Sequence, residues 1–129
     1  MSKEDIDELI KYRINRAKET LAEVEALINL GYNNTAVNRI YYACYYAVNA
    51  LITKHGLTAK RHDGIRQMFG LHFIKTGLIP KEFGKYYTDL FDRRQTGDYD
   101  DFVDYDKETV EELYKPAGEF IMLIEKLLL

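Results

Sequence analysis

The stretch from Thr35 to His55 constrains the fold of this chain more than any other part of it. It contains no glycine and no proline, and its apolar residues recur around nearly the whole circumference of a helix. An α-helix that is apolar on almost every side lies inside a packed structure. We therefore expect a central buried helix surrounded by other helices, with part of its surface against a second subunit.

Helical periodicity also predicts the elements around this central helix. The first helix should run from about Lys3 to Leu30 and end at Gly31, a residue that tolerates positive φ. A short apolar segment spans Ile65 to Ile74. A further helix should begin at Pro80 and end near residues 94–97.

Capping residues and a proline predict where the remaining helices begin and where the last one bends. Asn33 or Asn34 is expected to cap the central helix, and Asp106 the last helix. The acidic stretch from Asp98 to Asp106 should be a loop, and Pro116 should kink the last helix. The predicted fold is all-α: an antiparallel up-and-down bundle of four long helices plus a short helix, forming one domain over residues 1–129.

Composition excludes several classes of protein. The chain has 129 residues, 47% hydrophobic and 30% charged, which is enough apolar material for one packed domain. No apolar run approaches the roughly 20 residues that a membrane helix needs, and the N-terminus has no signal-peptide pattern. The single cysteine, Cys44, fits a reducing compartment, so we expect a cytoplasmic protein without membrane contact. The net charge of −3 means that any binding of nucleic acid depends on a local patch.

A polar stripe on the central helix is the first candidate binding surface. Its residues are three and four positions apart, which places them on one helix face: Arg39, Tyr42, Tyr46, Asn49 and Thr53. A guanidinium, phenols and an amide on one face can bind phosphate and stack on nucleobases. The alternative is that the tyrosines half-bury their rings against neighbouring helices and keep their hydroxyls in water.

Two further segments contain residues that could bind a ligand or take part in catalysis. The first is a small basic patch on a turn that leads into a helix, although a solvated loop would have the same composition. It consists of Lys60, Arg61, His62 and Asp63, with Arg66 one turn further on. The segment from Asp92 to Asp101 places two arginines before an acidic, aromatic stretch. Its aspartates depart from the calcium-loop pattern, and the histidines are too dispersed for a zinc site, so we predict no metal and no other cofactor.

Four blocks of sequence, in this order along the chain, resemble the HEPN domain family and, more narrowly, its small single-domain bacterial and archaeal members. The blocks are Arg39-Ile-Tyr-Tyr-Ala, Lys60-Arg-His-Asp-Gly, Gly70-Leu-His-Phe-Ile-Lys-Thr-Gly and Arg93-Arg-Gln-Thr-Gly-Asp-Tyr-Asp-Asp. The resemblance implies a helical bundle that forms a homodimer. It also implies a minimal nucleotidyltransferase as partner in a toxin–antitoxin-like pair, in which the HEPN protein can be a toxin that cleaves RNA.

The resemblance also implies site residues. The ribonuclease motif of the family places an arginine on Arg94 and a polar residue on Gln95. The histidine of that motif falls on or near Asp98, where this chain has no histidine. In some members a tyrosine just after the histidine is modified with a nucleotide, and Tyr99 lies near that position at a different spacing.

Three hypotheses follow for the function. The first is a HEPN-like module that binds nucleotide or RNA without the usual ribonuclease histidine. The second is an active, metal-independent endoribonuclease toxin that uses Arg94, with Asp98 or His62 in place of the missing histidine. The third is a purely structural subunit that recognises a protein partner. We favour the first. Its expected ligand-binding residues are Arg39, Tyr42, Tyr46, Asn49, His62, Gln95 and Tyr99.

Overall fold

A computed structural model describes residues 1–129, and all of its regular structure is helical. The helices are α1 (Lys3–Asn29), α2 (Asn33–Lys54), α3 (His62–Phe69), α4 (Lys81–Tyr99), α5 (Lys107–Tyr114) and α6 (Ala117–Leu127). A π-helical turn, Gly70–Ile74, directly continues α3. The all-α bundle of long helices with one short helix is therefore confirmed.

The central position predicted for α2 is confirmed, and the helix is buried within its own chain more completely than expected. Eleven residues of α2 are buried within the chain itself, where α2 packs against α1 and against each of α3 to α6. Its apolar faces therefore need no second subunit to cover them. The broken C-terminal helix and α4 complete this enclosure, whereas Tyr42, Tyr45 and Tyr46 of α2 remain partly exposed. The expected contact of α2 with a second subunit stays a prediction.

Pro116 does more than kink the last helix. Helix α5 ends at Tyr114 and α6 begins at Ala117, so the two are separate helices. A proline inside a helix removes a donor and clashes with the preceding turn, which accounts for the break. Asp106 caps α5 as predicted, since its side chain accepts a hydrogen bond of 2.8 Å from the Thr109 amide.

Two local predictions differ from the structure. Helix α4 continues through Tyr99, so the loop that follows begins at Asp100, and Asp98 lies on the last helical turns. Neither Asn33 nor Asn34 caps α2, which begins at Asn33 without a side-chain cap. Their amides instead bind the backbone of the segment between α4 and α5 at Val103 and Tyr105.

Candidate functional site

Arg94 is the centre of the candidate site. Helix α4 directs it inward, so that only 7% of this arginine is exposed. Its guanidinium carbon lies 4.8 Å from the ring centre of Tyr41 and 5.7 Å from that of Tyr42, both on α2. A guanidinium at this distance is attracted to an aromatic ring, which partly compensates for its burial.

The carboxylate nearest to Arg94 is shared with another side chain. Asp98, one turn further along α4, places an oxygen 3.7 Å from a terminal nitrogen of Arg94. The same carboxylate accepts hydrogen bonds of 3.0 and 3.3 Å from the amide of Asn38. The Arg94 Nε is buried and has no hydrogen-bond partner. Arg94 thus keeps an unused donor, which is unusual for a buried polar group.

His62 reaches the same region from the start of α3. Its Nδ1 and the Tyr41 hydroxyl are joined by a hydrogen bond of 2.8 Å, and its ring stacks on Tyr45 with centres 4.2 Å apart. This contact leaves Nε2 as the ring nitrogen free for a ligand. Burial, together with the positive charge of Arg94, lowers the pKa of His62 from its ordinary value of 6.5. The imidazole is therefore neutral at pH 7.

A cavity of about 340 Å³ brings together residues from the two sequence segments that carry the candidate chemistry. Its lining residues are Lys60, Arg61, His62, Asp63, Phe91, Arg94, Gln95 and Tyr99. Such a cavity offers a buried guanidinium, a neutral imidazole and an exposed phenol ring, Tyr99, to one ligand. These groups suit a phosphate ester with an aromatic base.

The structure brings together most, but not all, of the residues predicted for the site. Tyr42 lies close to two arginines: its ring centre is 5.7 Å from the guanidinium carbon of Arg94 and 5.3 Å from that of Arg39. Tyr46 lies one turn further along α2. Asn49 lies beyond it and accepts a hydrogen bond of 3.4 Å from Arg13 on α1. It is therefore separate from the cavity.

Sequence reasoning missed two residues of this cluster. Tyr41 is one of the many apolar and aromatic residues of the central helix and is fully buried, but its hydroxyl forms a hydrogen bond with His62. Asn38 was not singled out, although its amide holds Asp98. The signal available for Asn38 was its position one helical turn before Tyr42.

Outside the candidate site, the structure contains a further cavity but no metal-binding group and no helix that could span a membrane. This cavity, of about 580 Å³, lies between α3 and α4 and is lined by none of the predicted site residues. No three or more His, Cys, Asp or Glu side chains converge into a group that could hold a metal ion. None of the helices combines the length and the apolar character needed to cross a membrane.

Comparison with known proteins places this site in a family context. A family model described as "HEPN domain" matches residues 10–127. The chain belongs to the HEPN domain family. The sequence resemblance is thereby confirmed, and Arg94, Asp98 and His62 all fall within the matched HEPN region.

Three relatives illustrate the range of similarity. A protein of Thermotoga maritima named "UPF0332 protein" is 39% identical over 122 residues, covering 95% of this chain and 92% of the relative. Two proteins of Methanocaldococcus jannaschii are each named "Putative toxin". One is 34% identical over 90% of this chain and 79% of the relative. The other is 32% identical over 95% of this chain and 89% of the relative.

Proposed function

We propose that this protein is the HEPN component of a toxin–antitoxin-like pair and that Arg94 binds a phosphate group of a nucleotide or an RNA. The observation that carries the proposal is the buried Arg94 guanidinium, which lines the cavity and has an Nε without a hydrogen-bond partner. Guanidinium groups bind phosphate through two parallel hydrogen bonds, and an incompletely paired one has that capacity to spare.

The surroundings of Arg94 support an anionic ligand with an aromatic part. Lys60 and Arg61 line the same cavity, and together with Arg94 they outnumber its one carboxylate, Asp63, which lies 3.6 Å from Arg61. Tyr99 also lines it and is 75% exposed, which leaves its ring available for stacking on a base. The toxin part of the proposal is supported by the names of the two Methanocaldococcus relatives.

The proposal includes two partners, a second copy of this chain and a minimal nucleotidyltransferase, both supported by the resemblance to small HEPN proteins. Sedimentation at micromolar concentration should give the mass of a homodimer, and a monomer would contradict that part. Co-expression with the nucleotidyltransferase encoded beside the gene should yield a complex that survives purification. If no such gene lies nearby, this second partner is wrong.

The test of the Arg94 site uses two adjacent arginines. Arg93 is the matched control, because it binds Asp89 at 2.9 Å and does not line the cavity. A labelled single-stranded RNA should bind the wild type and Arg93→Ala alike, whereas Arg94→Ala should weaken binding at least tenfold, as expected when a charge-assisted contact of about 1.5–3 kcal/mol is lost. Equal binding by all three proteins would refute the assignment of the site.

RNA cleavage is the second candidate function, and the position of His62 favours it. The motif histidine is missing from α4, but α3 supplies a neutral imidazole beside Arg94. The cleavage step uses the tautomer of His62 in which Nδ1–H donates to the Tyr41 hydroxyl oxygen and Nε2 is unprotonated. Nε2 then takes the proton from a 2′-hydroxyl, and O2′ forms a bond to phosphorus. The bond from phosphorus to O5′ breaks, and the leaving oxygen takes a proton from water. Arg94 stabilises the charge on the phosphorane.

An RNA-cleavage assay would distinguish the two candidate functions, RNA or nucleotide binding alone and ribonuclease activity. RNA incubated with purified protein and a metal chelator should be cut by the wild type and left intact by His62→Asn and Arg94→Ala. The cleavage rate should rise with pH as His62 loses its proton. His55→Asn is the control, because His55 lies at the end of α2 and outside the cavity. Intact RNA with all proteins would leave the binding function and exclude cleavage.

A further inference from the structure

A second surface, continuous with the Arg94 site, runs along α1 and α2. It combines three tyrosines of α2 with arginines of both helices, and we call it the aromatic–arginine face. Its residues are Tyr42, Tyr45, Tyr46, Arg39, Arg13 and Arg16. All six are only partly buried, so each can still contact a ligand.

The three tyrosine rings lie close to one another. The ring centres of Tyr42 and Tyr45 are 5.9 Å apart, those of Tyr45 and Tyr46 are 5.8 Å apart, and those of Tyr42 and Tyr46 are 6.1 Å apart. They therefore form one patch of π-surface rather than three isolated side chains. Aromatic side chains of this kind provide platforms on which nucleobases stack.

The arginines follow the same line as the rings. The guanidinium carbon of Arg39 lies 5.3 Å from the ring centre of Tyr42, and that of Arg16 lies 5.2 Å from the ring centre of Tyr46. Arg13 donates a hydrogen bond of 2.6 Å to Thr53 at the far end. Positive charge is thus present along the whole length of the face.

The carboxylates near this face neutralise it only weakly. Glu23 approaches Arg39 to 4.0 Å and Glu19 approaches Arg16 to 3.9 Å, and both glutamates are more than half exposed. Contacts of this length between exposed groups are worth little and can be exchanged for a better anion. The arginines are therefore available to phosphate groups.

Tyr42 connects this face to the candidate site, because its ring also lies 5.7 Å from the Arg94 guanidinium. We propose that the aromatic–arginine face binds the bases and phosphates of a single-stranded RNA whose neighbouring phosphate occupies the Arg94 site. This inference rests on the proposed function and specifies its substrate class. Single strands are favoured because the bases of a duplex are already stacked and cannot lie on protein rings.

The test compares a long ligand with a short one. The long ligand is a labelled single-stranded RNA of ten nucleotides, and the short one is AMP, which can fill the Arg94 site alone. Tyr46→Leu should weaken binding of the long RNA about tenfold, consistent with the loss of one stacked base. Arg16→Gln should weaken it by about the same factor, consistent with the loss of one charge-assisted contact to phosphate. Neither variant should change the affinity for AMP. Tyr32→Leu, an exposed tyrosine at the corner between α1 and α2, is the matched control and should behave as the wild type.

The outcomes distinguish failure of this face from failure of the proposed function. Arg94→Ala should weaken binding of both ligands, and if it does while Tyr46→Leu and Arg16→Gln do not affect the long RNA, only the face is refuted. Equal affinity of the wild type for a ten-base-pair duplex and for the single strand would also refute it. Sedimentation of the same variants completes the test, since conversion of a dimer to a monomer by Tyr46→Leu would assign this face to a second copy instead.

Discussion

At the scale of single residues, Arg94 is a buried charge whose present contacts do not account for it by stability alone. A buried guanidinium loses its hydration and needs full pairing to recover the cost. Here it has two aromatic rings and one carboxylate at 3.7 Å, and that carboxylate also binds Asn38. The incomplete pairing matches a site that an anionic ligand completes.

This view predicts how Arg94→Met will behave. Methionine fills a similar volume against the Tyr41 and Tyr42 rings and carries no charge. Asp98, the partner left behind, is 32% exposed and keeps its hydrogen bonds from Asn38, so it is not left as an unpaired buried charge. The free energy of unfolding should therefore be unchanged or higher by about 1 kcal/mol. Urea denaturation measures it. The rise in melting temperature caused by a nucleotide in the wild type should disappear. A loss of stability of about 3 kcal/mol or more, as for a broken buried ion pair, would show that Arg94 is held by its present partners and not kept for a ligand.

His62 predicts a dependence of stability on pH. Its folded-state pKa lies below the ordinary value of 6.5, because burial and Arg94 disfavour the charged form. The unfolded chain therefore binds the proton more readily, and stability is lost as the pH falls from about 6.5 through the lower folded-state pKa. Between pH 7.5 and 5, the free energy of unfolding should fall less steeply for His62→Asn than for the wild type. Identical slopes would mean that His62 titrates normally, and His55→Asn serves as control.

At the scale of helices, the sequence predicts what depends on local periodicity and punctuation. The positions of α1 and α2, the end at Gly31, the cap at Asp106 and the interruption at Pro116 all follow from such signals. Contacts between helices distant in sequence do not. No local pattern reveals that His62 will meet Tyr41, because that pairing depends on how α3 packs against α2.

The two asparagines at the start of α2 show the same limit. Asparagine is a common helix cap, so the local signal pointed to capping. In the structure, Asn34 forms two hydrogen bonds with the segment after α4: it donates to the Val103 carbonyl at 2.7 Å and accepts from the Tyr105 amide at 2.9 Å. Tyr105 in turn donates from its hydroxyl to the Arg93 carbonyl at 2.6 Å. Asn34 thus helps to hold the end of α4, which carries Arg94 and Asp98.

Removal of this contact should therefore affect both stability and the site. Asn34→Ala leaves the Val103 carbonyl and the Tyr105 amide without their partner, so the free energy of unfolding should fall by about 1–3 kcal/mol. Urea denaturation gives that value, and limited proteolysis should cut the segment near Phe102 more rapidly. Thr35→Ala is a suitable control, since Thr35 is exposed on the same turn. Unchanged proteolysis would indicate that other contacts, such as that of Asn33 with Tyr105, hold the segment alone.

At the scale of the whole molecule, the net charge is negative, but the two proposed binding surfaces carry positive charge. The net charge of −3 repels a polyanion at long range, whereas Arg94, Lys60 and Arg61 at the cavity and Arg39, Arg16 and Arg13 on the aromatic–arginine face attract it locally. Association with RNA should therefore gain little from steering over long distances. Most of the electrostatic gain should come from close contacts with phosphates, which displace bound counterions.

The salt dependence of binding would reveal the number of these contacts. If Arg94, Arg39 and Arg16 each neutralise one phosphate of a single strand, the logarithm of the association constant should fall with the logarithm of salt concentration at a slope of about −2. Arg16→Gln should make the slope less steep by about 0.7, whereas Arg93→Gln should leave it unchanged, because Arg93 is paired with Asp89. Anisotropy titrations from low to moderate salt measure both slopes. A slope near zero for the wild type would mean that base stacking alone holds the strand and that the arginines do not contact its phosphates.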